Sequence, residues 1–343
     1  MEIGIVGLPG SGKSTLFEIM TGVKSRELHG EPCVRGLATV PDARFDRLVE
    51  IFRPAKVSPA KVPFVDVHAA GEKAWNTLRQ NLSGADGLLH VLDGYTTGDL
   101  ADILADYRKL SDELVLSDLL IVENRLERLG KMSRAACKPQ DLAQMEILPR
   151  LKAHLEGGGA LRELNLPAED VHMLRSFSFW TIKPELVVIN RGEERPAPVA
   201  EFEREAAIAT PVMEVCCLIE AEIATLPPDE QREYLSAMGI VEAAFAKVIR
   251  AAFVMLRQMA FFTVGEDEVK AWVIPLDTKA PKAAGAIHND FERGFIKAEV
   301  VHYDDFIALG GTNAAVKAAG KLRLEGKEYL VRDGDMINFR FNV

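Results

Sequence analysis

Residues 7–14 read Gly7-Leu8-Pro9-Gly10-Ser11-Gly12-Lys13-Ser14, and this G-x-x-x-x-G-K-S spacing constrains the fold more than any other stretch of the chain. Glycines let a backbone wrap closely, so that successive N–H groups point at a polyphosphate. A lysine supplies a point charge for the outer phosphates, and the following serine offers a hydroxyl to Mg²⁺. The flanks fit the pattern. Residues 2–6 are a short apolar run with strand character, and Leu16, Phe17 and Met20 recur at helical spacing from Lys13 to about Gly22. Strand, glycine loop and helix N-terminus together make an anion site, because the helix end presents free N–H groups and a partial positive charge. Pro9, Gly10, Ser11, Gly12, Lys13, Ser14 and Thr15 are therefore the candidate phosphate contacts. Lys13 is also the candidate catalytic cation.

The bulk properties bound what surrounds this loop. A chain of 343 residues predicts two or three domains, and 48% hydrophobic residues are enough to pack them. No run reaches the ~18 apolar residues that span a bilayer. A strand at the very start leaves no room for a signal peptide. The four cysteines, Cys33, Cys137, Cys216 and Cys217, show no C-x-x-C spacing, so no zinc site is expected and a reducing cytoplasm is the simplest home. The net charge of −10 argues against a general nucleic-acid coating protein and leaves room for a local basic face.

Along the chain, residues 1–110 alternate strand and helix patterns. Residues 62–67 form an apolar run with Asp66 near its end, and residues 87–92 form another, followed at once by Asp93. Such strands between helical stretches predict a parallel sheet covered by helices. From about residue 112 the texture changes. Val115, Leu119, Val122, Leu126 and Leu129 are spaced by three and four, and Met145, Leu148, Leu151 and Leu155 follow a similar spacing, with Pro149 expected to kink the second helix. Two helices packed as an antiparallel coiled hairpin are expected; two amphipathic helices lying on the main core are the alternative. Strand character returns at residues 185–189 and 211–215, so the helical stretch reads as an insertion. Residues 229–260 read as helical, interrupted near Gly239. Residues 269–274 and 295–301 read as strands with a helix near residues 283–288, and residues 329–331 and 336–341 as a terminal hairpin around Arg332-Asp333-Gly334-Asp335.

Three further stretches carry chemistry. Asp66, at the end of an apolar strand, is placed to hold Mg²⁺ through water beside Ser14. Asn190-Arg191-Gly192-Glu193 follows the strand at residues 185–189, where guanine-specific GTPases carry Asn-Lys-x-Asp. Here Arg191 replaces the lysine and Glu193 the aspartate, which changes the base edge that fits. Cys216, Cys217 and Leu218 follow the next strand, where GTPases place a loop whose backbone reads the base.

These loops, the helical insertion and the C-terminal end resemble the YchF/Obg-like ATPase family of translation-factor-class P-loop proteins. The most specific stretches are Ala280-Pro281-Lys282-Ala283-Ala284, Ile287-His288, the run from Asp290 to Val300 and the run from Gly334 to Phe341. The resemblance implies an α/β fold: a P-loop NTPase parallel sheet over residues 1–111 and 181–264, an inserted antiparallel helical hairpin over 112–180, and a ubiquitin-like β-grasp (TGS) domain over 265–343. It further implies binding of ATP, with GTP as a second nucleotide, a Mg²⁺ cofactor, slow hydrolysis and a ribosomal or structured-RNA partner. Lys279, Lys282, Arg293 and Lys297, together with Arg125, Arg128, Lys131 and Arg134, are the candidate contacts to RNA phosphates; a solvated charged face is the plain alternative.

The chain departs from the family at three places. Its phosphate loop spells Gly-Ser-Gly-Lys-Ser where the family has Asn-Val-Gly-Lys-Ser, a spelling shared with nucleotide kinases. The family's Asp-x-Ala-Gly becomes Asp66-Val67-His68-Ala69, which removes the glycine expected at the γ-phosphate. The family's Phe-Cys-Thr becomes Pro32-Cys33-Val34, which removes a hydroxyl from the first switch. His68 is a candidate surrogate polar group near the γ-phosphate. Val34 and Ala69 keep a second reading open, a nucleotide-holding sensor with little or no hydrolysis.

Overall fold

A computed structural model describes residues 1–25, 31–68, 74–132 and 137–342. Ala69 and Arg134 lie outside the described residues. The strands are β1 (Ile3–Val6), β2 (Cys33–Thr39), β3 (Lys56–Ser58), β4 (Lys61–Val67), β5 (Gly87–Gly94), β6 (Glu185–Arg191), β7 (Val212–Val215), β8 (Gln258–Val264), β9 (Glu268–Pro275), β10 (Phe295–His302), β11 (Arg323–Glu325) and β12 (Asp335–Phe341). The helices are α1 (Lys13–Thr21), α2 (Ala43–Phe52), α3 (Ala74–Leu82), α4 (Leu100–Gly130), α5 (Pro139–Glu156), α6 (Ala168–Leu174), α7 (Val199–Ala206), α8 (Cys217–Thr225), α9 (Pro228–Ala237), α10 (Ala244–Met255), α11 (Ala280–Ile287), α12 (Asn289–Arg293), α13 (Tyr303–Ala308) and α14 (Asn313–Ala318). No helix among the described residues is long and apolar enough to cross a membrane.

The chain divides into two units. The first holds residues 1–36 and 63–248. Its sheet runs β2-β4-β1-β5-β6-β7, and the β1–β4, β1–β5, β5–β6 and β6–β7 pairs are all parallel. Every residue of β1 is buried, as are the first six of β6, because helices cover both faces of a parallel sheet. Leu82, Leu88, Leu110, Leu114 and Trp180 fill one cluster against it, and Ile103, Tyr107, Ile189 and Phe202 another. The register aligns the strand ends that matter: Ile5 faces Asp66, and Asp93 faces Asn190, which in turn faces Val215. The neighbours of β1 come later in the chain on both sides, so the crevice beyond its carboxyl end is the expected ligand position in a sheet of this kind.

The helical texture expected from residue 112 belongs to a longer element. α4 spans 31 residues, roughly 46 Å at 1.5 Å per residue, so a boundary at 112 falls inside it. Its first half supplies Ile103, Leu104, Tyr107, Leu110 and Leu114 to the clusters at the sheet. Its second half packs Val115, Val122 and Leu129 with Ile147, Leu148, Leu151 and Leu155 of α5, which continues through Pro149. Arg125 bonds Gln144 and Asp141 between these helices. Asp118, buried in mid-α4, accepts Trp180 N at 2.9 Å and both Thr181 N and Oγ1, at 2.8 and 2.7 Å. These bonds fasten the end of the helical stretch where the chain re-enters the sheet. Burial raises its carboxyl pKa, and these donors offset part of the rise.

The second unit holds residues 37–62 and 249–343. Its sheet runs β11-β10-β12-β8-β9-β3. β8 and β9 form an antiparallel hairpin and β12 lies parallel beside β8. β3 adds to the far edge, parallel to β9. The helical reading of residues 229–260 overruns into β8, whose apolar run Met259–Phe262 carries no period that separates strand from buried helix. Phe261, Ile274, Ala280, Ala284, Phe295, Val300 and Phe339 form the core, with α11 closing one face. The expected terminal hairpin is not made. Residues 329–331 contribute a single bridge, Lys279 to Leu330, while β12 pairs with β10 and β8. Asp335 explains this: its Oδ2 accepts Tyr329 Oη at 2.6 Å and Arg332 N at 2.9 Å, which turns the preceding segment away from strand pairing.

Candidate active site

The loop after β1 owes its shape to glycine. Gly10 and Gly12 have φ of 88° and 94°, in the left-handed region, and a Cβ on Gly12 would run into the Asn190 amide. Gly12 is also the N-cap of α1, with no side-chain cap bond, so the helix start offers free N–H groups to an anion. Lys13 Nζ donates to the Leu8 carbonyl at 2.8 Å and folds back over the loop. Burial lowers the Lys13 pKa, and the Asp66 carboxylate opposes that shift.

A cavity of about 650 Å³ joins this loop to the ends of β5, β6 and β7. Gly10, Gly12, Lys13, Ser14 and Thr15 line one part of it; Asn190, Arg191, Glu193, Cys216, Cys217 and Leu218 line another. Asn190 connects the two. Its Nδ2 donates to Ser11 O and its Oδ1 accepts from Cys217 N, each at 3.1 Å. Arg191 turns back on its own loop, donating Nη1 to the Gly192 carbonyl at 2.7 Å, while Glu193 is exposed at the rim. Cys216 is the N-cap of α8, and Leu218 stands 62% exposed in the cavity wall, an apolar surface fit for a flat base.

Pro9, Ser11, Asp66 and His68 are not in this lining. Pro9 is exposed in the loop, and Ser11 is buried with its Oγ unpartnered among the described residues. Asp66 is fully buried at the end of β4. Its Oδ2 accepts from Ser25 Oγ at 2.7 Å, and its Oδ1 has no partner among the described residues. His68 Nε2 lies 2.6 Å from Ser25 Oγ and 3.2 Å from Asp66 Oδ2. Val34 is buried in β2. Of the basic residues considered for RNA, Lys131 pairs with Glu127, Lys279 with Glu328 and Lys282 with Glu292, whereas Arg128, Arg293 and Lys297 are exposed.

Two residues escaped the sequence reading. Tyr95 lines the cavity and donates Oη to the Gly10 carbonyl at 3.0 Å. Its position just beyond Asp93-Gly94, at the end of a parallel strand, is the signal that could have marked it. Ser25 carried no signal, because a lone serine beyond a helix end is an ordinary turn residue.

A helix-initiating glycine loop beside a buried strand-end carboxylate and an asparagine-anchored pocket defines a P-loop nucleoside-triphosphate phosphohydrolase. The comparisons with known proteins agree. Residues 258–342 match the family YchF-GTPase_C, described as "Protein of unknown function (DUF933)". The chain is 37% identical to the Ribosome-binding ATPase YchF of Haemophilus influenzae, covering all of this chain and 99% of that one. It is 36% identical to the protein of that name from Bacillus subtilis, covering both chains fully, and 35% identical to Obg-like ATPase 1 of Oryza sativa subsp. japonica, covering all of this chain and 92% of that one. The solved structure of the Schizosaccharomyces pombe YchF GTPase superposes with a TM-score of 0.86 at 27% identity, covering 99% of this chain and 97% of that one. The chain belongs to the YchF/Obg-like ATPase family.

Proposed function

We propose that this protein binds ATP, with GTP as a second nucleotide, together with Mg²⁺ in the cytoplasm, hydrolyses the triphosphate slowly, and uses its nucleotide state to regulate association with the ribosome. The observation that carries the reading is the single cavity of about 650 Å³ lined by Lys13 and Ser14 of the phosphate loop and by Asn190, Glu193 and Leu218, which gives phosphates and a base a common pocket. Loop N–H groups and Lys13 hold the phosphates, and the Lys13 ammonium exchanges the Leu8 carbonyl for them. Glu193 and the α8 N-terminal backbone face the base edge, with the side chain of Arg191 withdrawn.

The donor set suits Mg²⁺. Asp66 Oδ1 is a buried acceptor with no partner among the described residues, as a carboxylate that receives a hydrogen bond from a metal-bound water should be, and Ser14 stands in the first turn of α1 next to Lys13. When bound, the cation neutralises charge on the phosphate oxygens. The names of the curated relatives support a ribosomal partner. An antiparallel hairpin of α4 and α5 and a TGS-like β-grasp in the second unit are the surfaces proposed to meet it.

Calorimetry with ATP and GTP in Mg²⁺, a single-turnover assay and co-sedimentation with ribosomes test this reading. Wild type is expected to bind both nucleotides, release phosphate and co-sediment in a nucleotide-dependent manner, and Lys13→Ala is expected to lose all three. One observation favours a second reading, a sensor without turnover. Val34 is a buried strand residue without a hydroxyl where the family carries a switch threonine. Tight triphosphate binding with no phosphate release in a single turnover supports the sensor.

A further inference from the structure

We infer that Ser25 and His68 are positioning residues that hold the Asp66 carboxylate in one orientation and leave its Oδ1 open for metal-bound water, an inference that rests on the Mg²⁺ reading above. Asp66 is fully buried, as is Ser25. Ser25 has a single hydroxyl proton and two close neighbours, Asp66 Oδ2 at 2.7 Å and His68 Nε2 at 2.6 Å. An ionised carboxylate is acceptor-only, so the serine proton goes to Asp66. Ser25 Oγ then has only lone pairs to offer His68, so Nε2 carries a proton and donates it. The chain of donors runs from His68 Nε2–H to Ser25 Oγ and from Ser25 Oγ–H to Asp66 Oδ2, with His68 Nε2 also 3.2 Å from that same oxygen. The His68 backbone is tied down as well, its N–H donating to Pro32 O at 3.0 Å.

The Ser25 hydroxyl donates to one carboxylate oxygen, Oδ2, and His68 Nε2 lies against that same side of the carboxylate. The other, Oδ1, is equally buried and has no donor among the described residues. This asymmetry is what a pre-oriented ligand requires. A carboxylate free to turn about χ2 would present either oxygen, whereas one whose Oδ2 is held by a buried hydroxyl presents Oδ1. Outer partners of this kind fix ligand orientation at metal sites, and their loss typically costs about 10–100-fold in metal affinity. His68 thus acts through Asp66. The stretch Asp66-Val67-His68 at the end of β4 carries its own orienting group where the family motif has an alanine.

The test measures Mn²⁺ affinity by electron paramagnetic resonance on full-length protein saturated with ADP, alongside ADP affinity in EDTA. Ser25→Ala and His68→Ala are each expected to weaken Mn²⁺ binding about 10–100-fold while ADP binding in EDTA stays unchanged, and His68→Gln, which keeps a side-chain N–H donor, is expected to recover most of the loss. Mn²⁺ affinity within twofold of wild type in both alanine variants, with Asp66→Ala abolishing binding, overturns the positioning role and leaves the Mg²⁺ reading standing. Failure of the wild type to bind Mn²⁺ in the presence of ADP overturns both. If the variants do not fold, ¹⁵N NMR of the wild-type imidazole decides: a proton on Nε2 is expected, and a neutral ring protonated on Nδ1 alone overturns the inference.

Discussion

The Asn190 side chain clasps Ser11: its Nδ2 donates to the Ser11 carbonyl at 3.1 Å, and the same amide receives Cys217 N on its Oδ1. One buried side chain thereby fixes the phosphate loop against the start of α8. Asn190→Ala leaves a buried carbonyl and a buried N–H unpaired, each loss worth ~1–3 kcal/mol. ADP affinity is expected to fall about 10–100-fold by calorimetry, with a lower melting temperature. Asn190→Asp should be at least as damaging, because its carboxylate would face the Ser11 carbonyl. An aspartate variant that binds like wild type would show that the clasp is dispensable.

Tyr95 Oη reaches the Gly10 carbonyl across 85 positions of sequence, and the residue, which lines the cavity, is 51% exposed. Tyr95→Phe removes only the hydroxyl, a neutral bond worth ~0.5–1.5 kcal/mol. The loop then orders at the moment of binding, so nucleotide affinity is expected to drop about two- to tenfold with the melting temperature nearly unchanged. Tyr95→Ala also removes apolar surface from the cavity and should cost more. Equal affinities for wild type and the phenylalanine variant would assign the hydroxyl no role.

These two contacts mark where sequence reading succeeds and where it stops. The phosphate loop was legible because its constraint is local: Gly10 and Gly12 need left-handed backbone, and the helix start must follow at once. Asn190 was legible because a polar residue ending an apolar strand stands out. Tyr95 and Ser25 were not, because each matters only through a partner 41 or more positions away. The continuity of α4 across residue 112 was hidden because its apolar stripe changes partners mid-helix, from the sheet clusters to α5. β3 was missed because three mostly exposed residues form a strand only by joining β9.

In the reading proposed above, base preference depends on the Arg191–Glu193 turn. Arg191 bonds the Gly192 and Glu193 carbonyls and lies near Glu214, so its charge is spent on the loop. The double substitution Arg191→Lys with Glu193→Asp recreates Asn-Lys-Gly-Asp. The shorter carboxylate is expected to accept from the guanine N1–H and exocyclic amine, and the GTP-to-ATP affinity ratio should rise at least about tenfold, the worth of one charge-assisted bond. Competition binding of labelled GTP against ATP measures the ratio, and an unchanged value would place selectivity elsewhere in the pocket.

Lys183 predicts a pH signature unrelated to nucleotide. It is buried, donates Nζ to Leu82 O and Ser83 O at 2.9 and 3.0 Å, and lies 5.0 Å from the Trp180 ring centre. Burial pulls its pKa from 10.5 down to about 8, with Asp118 opposing. The folded value is below the unfolded one, so above pH 8 the unfolded chain retains a proton that the folded chain has released. Stability therefore rises with pH through that window, while below pH 8 the cost of burying the charge is fully present. Lys183→Met removes this dependence. The stability of wild type relative to Lys183→Met, from urea unfolding, is expected to climb by about 1–3 kcal/mol between about pH 7.5 and 10, then level off near the unfolded value. A difference that stays flat across this range would mean that Lys183 titrates as an exposed lysine does.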